Sequence, residues 1–231
     1  MSATAAQPRR RTRRPRAERE AEILAAAREV FAERGFGEAA MAEIAARAGV
    51  VEGTVYCYFD SKRALLIAVM ERFYDELISD TASGLEAVRG AENRLRFVIR
   101  RHLETFTADL GLCRTILRET RPDVALYDEA ILELNRRYKG LGLGVLEQGV
   151  ASGELRSDLV PSVIRDLIYG GIEHAVWRFL FADGQLELSA LADQLADVLL
   201  EGIAQSPAPG AHEETITRLE RAVARLESHV E

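Results

Sequence analysis

Apolar residues recur along most of this chain at three- and four-residue intervals, the period of an amphipathic helix. Over residues 17–34 the larger ones are Ile23, Leu24, Val30 and Phe31, with Ala27 on the same face. Gly35 and Gly37 follow where a helix C-terminus is expected. Short helices are predicted over about 41–48, closed by Gly49, and over about 52–59. Ser61 is placed to cap a longer helix that runs to about residue 83 on Leu65, Leu66, Val69, Phe73 and Leu77. Further helices are predicted at about 91–110, 112–120, 123–151, 160–182 and 187–204, with Pro122, Ser152-Gly153, Pro161 and Asp183-Gly184 between them. No segment alternates as a strand bounded by hairpin turns does. The expected fold class is all-α.

Composition is that of an ordinary globular chain, 48% hydrophobic and 29% charged. No apolar run approaches the roughly 18–20 residues that span a bilayer, and no secretory signal follows the basic N-terminus, so a cytoplasmic location without membrane association is expected. Cys57 and Cys113 fit a reducing compartment, and His102, His174, His212 and His229 are too scattered for metal ligation. No metal and no cofactor are expected. The net charge of −7 hides an asymmetry. Residues 1–63 carry 12 Lys and Arg against 9 Asp and Glu, whereas residues 64–231 carry 18 against 28. Residues 1–16 hold six arginines and no acid. A basic arm ahead of an acidic body is the footprint of local phosphate binding, and Arg13, Arg14 and Arg16 are its candidate DNA contacts.

The informative stretch is residues 42–59. Two short helices joined by a glycine-containing turn make a helix-turn-helix, with Ile44, Ala45, Ala48, Val50, Val55 and Phe59 spaced as a shared core. Glu52, Gly53, Thr54, Tyr56 and Tyr58 are left facing outward. Gly53 and Thr54 suit close approach to base edges, and the tyrosine hydroxyls suit phosphates.

The register Phe31-x-x-x-Gly35-Phe-x-x-Ala-x-Met-x-x-Ile44-Ala-x-x-Ala-Gly49-Val-x-x-Gly53-Thr-Val-Tyr56-x-Tyr58-Phe-x-x-Lys62-x-x-Leu65-Leu resembles the N-terminal domain of TetR-family regulators. The resemblance implies that the helix near 52–58 reads DNA. Glu52, Gly53 and Thr54 would approach bases, and Tyr56, Tyr58 and Lys62 would meet the backbone. Three positions depart from the family pattern. Ala40 stands where a capping Thr or Ser is usual, Glu52 where a base or small polar residue is common, and Cys57, read as a half-buried filler, where many members carry an aromatic.

The resemblance further implies a larger helical bundle for ligand binding and dimerisation. The expected organisation is a disordered basic arm (1–16), a three-helix helix-turn-helix domain (17–65), that bundle (66–205), a linker (206–211) and an amphipathic helix (212–231). The last carries Ile216, Leu219, Val223, Leu226 and Val230 at heptad spacing, either as a short coiled coil or as a helix packed on the body. The segments 160–181, with Leu167, Ile168, Ile172, Val176, Phe179 and Leu180 around Gly170-Gly171, and 188–203 are the expected homodimer interface. Gly140, Gly142 and Gly144 fall within a helical pattern, where they make space for a ligand or a neighbouring helix.

The C-terminal half is similar, more loosely, to the acyl-CoA-responsive fatty-acid-degradation branch of that family. That likeness makes Phe106, Tyr127, His174 and Trp177 candidates to line an apolar tunnel, and Arg118, Arg136 and Arg137 candidates to meet CoA phosphates. The expected function is a dimeric repressor that binds a palindromic double-stranded DNA operator and is released by a small hydrophobic effector, with long-chain acyl-CoA the candidate. No nucleophile elbow, metal-spaced histidine pair or phosphate-cradling loop after a strand is present, so an enzyme is not expected. The alternative is a helical protein-interaction module that uses the C-terminal seam and has lost DNA binding.

Overall fold

A computed structural model describes residues 15–120, 129–181 and 187–204. Among these residues there are nine helices: α1 (Arg16–Glu38), α2 (Met41–Arg47), α3 (Glu52–Tyr56), α4 (Lys62–Glu86), α5 (Ala91–Ala108), α6 (Leu110–Thr120), α7 (Glu129–Ser152), α8 (Pro161–Phe181) and α9 (Leu188–Ile203). The only β pairing among them is a single antiparallel bridge, Leu155 to Ala204. Tyr127, residues 1–14, the linker and the heptad segment lie outside the described residues.

Backbone chemistry explains the helix ends. Gly35 interrupts α1 with φ 73° and ψ 172°, a conformation that a side chain would strain. The amide of Val50 donates to the carbonyl of Ala45, and that of Gly49, at φ 67°, donates to Ala46. That pair of bonds is the Schellman ending that glycine makes cheap. Ser61 caps α4 as expected, its Oγ accepting the amide of Ala64 at 3.0 Å.

The chain packs as two compact units. The first draws on residues within 1–81, 104–138 and 176–184. Its core contains Ile23, Ala27, Val30 and Phe31 of α1, Leu65, Leu66, Val69 and Met70 of α4, and Leu112 and Ile116 of α6. Burying each large aliphatic side chain contributes roughly 1.5–3 kcal/mol. α6 crosses α1 closely, because a Cβ on Gly111 would lie 2.3 Å from the carbonyl oxygen of Ala32. Thr115 donates to the carbonyl of Phe31 at 2.8 Å, and the Arg28 guanidinium pairs with Asp109 at 3.1 Å.

The second unit draws on residues within 82–103, 139–175 and 185–231. Leu95, Ile99, Leu103, Leu146, Leu155, Tyr169 and Ile172 are buried there. Gly149 admits Leu155 against α7, where a Cβ would lie 2.7 Å from its Cδ1. Glu154 accepts the first amide of α5, Ala91, at 2.7 Å, and Ser152 donates to its other oxygen. The Ala91 amide is the main reason that carboxyl sits below the usual range. Arg156 donates to the carbonyl of Gly202 at 2.9 Å, satisfying one of the orphan carbonyls at the end of α9.

Candidate nucleic-acid interface

α2 and α3 form the helix-turn-helix that the register predicts. Ile44, Ala45, Val55 and Phe59 are buried, while Ala48 and Val50 are half-buried. Met41 and Ala39 join this small core. α3 is shorter than its expected span of 52–59. After Tyr56 the chain tightens, with Tyr58 and Phe59 both donating to the carbonyl of Val55.

Val55 is the only buried side chain of α3. Glu52, Gly53 and Tyr56 are exposed, Thr54 is half-buried, and all four lie on the helix predicted to read DNA. Tyr56 keeps 46% of its surface open, and Arg16 stacks its guanidinium 5.3 Å from the ring centroid of Tyr58. Arg16 therefore joins the start of α1 to the turn that follows α3, while Arg13 and Arg14 lie outside the described residues. Cys57 is exposed rather than a half-buried filler, and its thiol donates to the carbonyl of Gly53 at 3.1 Å.

Charge pairing clips the motif together. Arg47 of α2 donates through both terminal nitrogens to the two oxygens of Glu33 of α1, each at 2.8 Å. That fork holds the Glu33 carboxyl below the usual carboxylate range. Lys62 has partners that spacing could not show. Its ammonium donates to the carbonyls of Ala39 at 2.9 Å and Gly37 at 3.2 Å, and lies 4.7 Å from the centroid of Phe36. It therefore gathers the chain between α1 and α2 onto the first turn of α4.

Neither helix of the motif has a side-chain cap. Ala40 and Val51 hold the N-cap positions in extended backbone, and neither makes a side-chain cap bond. The Ala40 departure was visible in the sequence. The one at Val51, which is 73% exposed, was not singled out.

The described residues expected to meet an effector lie on α5, α6, α7 and α8. Phe106 is buried in α5. Trp177 packs on Phe181 with ring centroids 4.2 Å apart, and Arg118 lies over the same Phe181 ring at 5.0 Å. Arg136 is exposed and paired with Glu133, and Arg137 is exposed and paired with Asp75 at 2.8 Å. His174 is exposed on α8. Of the expected dimer residues, Ile168, Ile172, Val176 and Leu180 are buried within the subunit. Leu167, also expected there, is exposed with Gly170 and Gly171, as are Val163 and His174.

Comparison with known proteins places this architecture. Residues 23–69 match the bacterial regulatory proteins of the tetR family, and residues 89–203 match the tetracyclin-repressor-like C-terminal domain. YdeS, an uncharacterised HTH-type transcriptional regulator of Bacillus subtilis, is 30% identical over 174 residues, 74% of this chain and 83% of its own.

The chain belongs to the TetR family.

This TetR-family chain is also 29% identical over 182 residues to the fatty acid metabolism regulator protein of Bacillus subtilis, spanning 79% of the chain and 94% of that relative. Among solved structures it superposes on the transcriptional regulator FadR from Bacillus subtilis in complex with stearoyl-CoA. That likeness has a TM-score of 0.72 at 29% identity, covering 79% of this chain and 98% of that one. The family and its relatives make the protein a transcriptional regulator with an N-terminal helix-turn-helix domain and a larger helical C-terminal domain. No helix among the described residues is long and apolar enough to cross a membrane.

Proposed function

We propose that this chain is a homodimeric transcriptional repressor that binds a palindromic operator through α2 and α3 and releases it on binding a long-chain acyl-CoA. The observation that carries the reading is the outward display of Glu52, Gly53, Thr54 and Tyr56 on a helix anchored by Val55 alone. Such a helix has free polar tips for base edges and phosphates. The stearoyl-CoA bound to the Bacillus subtilis regulator supports the effector class.

Dimerisation is supported by α8. Val163 and Leu167 are 53% and 58% exposed, and a Cβ on Gly170 or Gly171 would meet nothing within 4 Å. Two half-sites about 34–36 Å apart need two such heads. In this reading Arg13, Arg14 and Arg16 follow the minor groove or the phosphates, Tyr56 and Tyr58 bind the DNA backbone, and Lys62 acts chiefly by positioning. His174 belongs to the subunit contact rather than to the ligand, and Arg118, over the Phe181 ring on which Trp177 also packs, is the remaining candidate for an effector contact.

The test is selection of genomic fragments, footprinting, and titration of the selected site with palmitoyl-CoA. A two-fold symmetric footprint that weakens as acyl-CoA is added is the expected result. A symmetric footprint indifferent to acyl-CoA removes the effector, and absence of any protected site removes the repressor.

A further inference from the structure

The second unit contains a groove that none of the expected ligand residues lines. It has a volume of about 430 Å³ and lies among the end of α4, the turn at 87–90, the start of α5 and one face of α7. Such a volume falls in the range of small-molecule sites.

The α7 wall is written into the sequence. Gly140, Leu141, Gly144, Val145 and Gln148 follow the three- and four-residue spacing that puts side chains on one helical face. A Cβ at Gly140 or Gly144 would meet nothing within 4 Å, so these glycines border open space. Gly142, between them, serves a different purpose, since its Cβ would lie 3.0 Å from the hydroxyl of Tyr169. Two glycines in a helix interior therefore remain without a packing reason among the described residues, against the helix propensity that any other residue except proline would bring.

The remaining walls are amphipathic. Leu85 and Val88 supply apolar surface opposite Leu141 and Val145. Three charged groups line the groove: Arg89, Arg94 and Glu86. Arg94 donates to the side-chain oxygen of Gln148, yet its Nε is buried and has no hydrogen-bond partner among the described residues. A buried N–H left in that state calls for an acceptor. Glu154, which lines a smaller cavity sharing Gly90, Arg94, Val145 and Gln148 with the groove, already accepts from Ala91 and Ser152.

We propose that the groove bordered by Gly140 and Gly144 binds a medium-chain monocarboxylate, its chain along Leu85, Leu141 and Val145 and its carboxylate at Arg94 and Arg89. At roughly 30 Å³ per heavy atom, the share a water takes in the liquid, the volume holds about fourteen such atoms. Decanoate, with twelve, fits. The site is separate from the acyl-CoA reading, which concerns release of DNA.

The test uses the full chain and titration calorimetry with decanoate, decanol and decyltrimethylammonium. Decanoate binds tightest, and Gly144→Leu, which fills the groove, weakens it at least about tenfold while melting no lower than the parent. Arg94→Met weakens decanoate by about tenfold and leaves decanol unchanged. Absence of decanoate binding to the parent, or undiminished binding to a folded Gly144→Leu, overturns the site. Equal binding of decanol, or tighter binding of the cation, overturns the carboxylate assignment. Operator release by palmitoyl-CoA is measured separately. A chain that binds decanoate but keeps its operator in acyl-CoA overturns the proposed effector alone, and a chain that releases DNA without binding decanoate overturns the groove alone.

Discussion

Thr115 donates its hydroxyl to the main-chain carbonyl of Phe31 at 2.8 Å, across a crossing so close that Gly111 has no room for a methyl group. The bond is buried and joins α6 to the middle of α1, the helix whose start and end frame the reading head. Gly111→Ala is expected to push α6 off α1, with a loss of about 1–3 kcal/mol from overpacking. Thr115→Val is expected to lose about 1 kcal/mol. Chemical denaturation reads both, and a Gly111→Ala chain as stable as the parent would show that the crossing relaxes freely.

Lys62 separates two roles that DNA titration can tell apart. A side chain that holds the carbonyls of Gly37 and Ala39 contributes to folding, whereas a phosphate contact contributes to the salt dependence of binding. Lys62→Met is expected to cost about 1 kcal/mol of stability and leave the salt slope of operator binding unchanged. A slope shallower by about one, with unaltered melting, would return Lys62 to the phosphates.

The uncapped helices predict gains. Ala40 and Val51 already have the extended backbone that a capping residue needs. Ala40→Ser and Val51→Ser should each raise stability by about 0.5–2 kcal/mol, against the usual direction of point mutation. A melting temperature that stays level or falls in both variants would show that water already satisfies these amides.

Bulk placed on the open face of α8 tests the dimer without damaging the subunit. A Cβ at Gly171 would meet nothing within 4 Å among the described residues, so Gly171→Leu adds outward bulk, and Leu167→Glu charges a side chain already 58% exposed. Sedimentation velocity should show both variants as folded monomers beside a dimeric parent. Variants that stay dimeric would place the contact elsewhere.

His102 sets a pH dependence of known sign. Burial, with Lys139 adding to it, pushes the imidazole from 6.5 down to about 3. Between those values the unfolded chain takes up a proton that the folded chain excludes. Stability therefore rises with pH across the window and is lost as pH falls below 6.5, at up to about 1.4 kcal/mol per unit. Melting at pH 7.5 and at pH 5 should differ markedly in the parent and much less in His102→Gln. Equal differences would assign the effect to other groups.

Helix positions were largely legible because glycine punctuates this chain where the backbone needs positive φ. Gly35 and Gly49 were readable as endings, and both have it. The exposed face of α3 was legible for a similar reason, since the helix has one buried apolar residue, Val55, with its polar neighbours left over. What the pattern could not show depends on contacts distant in sequence. Gly111 looks like any helix glycine until α1 is beside it, and Lys62 looks like a free cation until the carbonyls of Gly37 and Ala39 are placed. On α8, Ile168, Ile172 and Leu167 are equally apolar, so composition could not separate the inward stripe from the outward one. The three glycines of α7 could be read as space-making, but only Tyr169 divides them into one contact and two vacancies.

The single anchor of α3 has an evolutionary consequence. Glu52, Gly53 and Tyr56 project from a helix whose hold on the protein runs through Val55, and Cys57 beside them is exposed as well. If α3 reads DNA as proposed, replacing those outward side chains alters what is recognised while leaving the interior untouched. Folding and target choice are thus inherited almost independently. On the proposed reading a duplicated copy can drift to new promoters without passing through an unfolded ancestor, and Glu52, Gly53, Thr54 and Tyr56, with Val55 kept, are the natural set to exchange when rewiring the regulator by design.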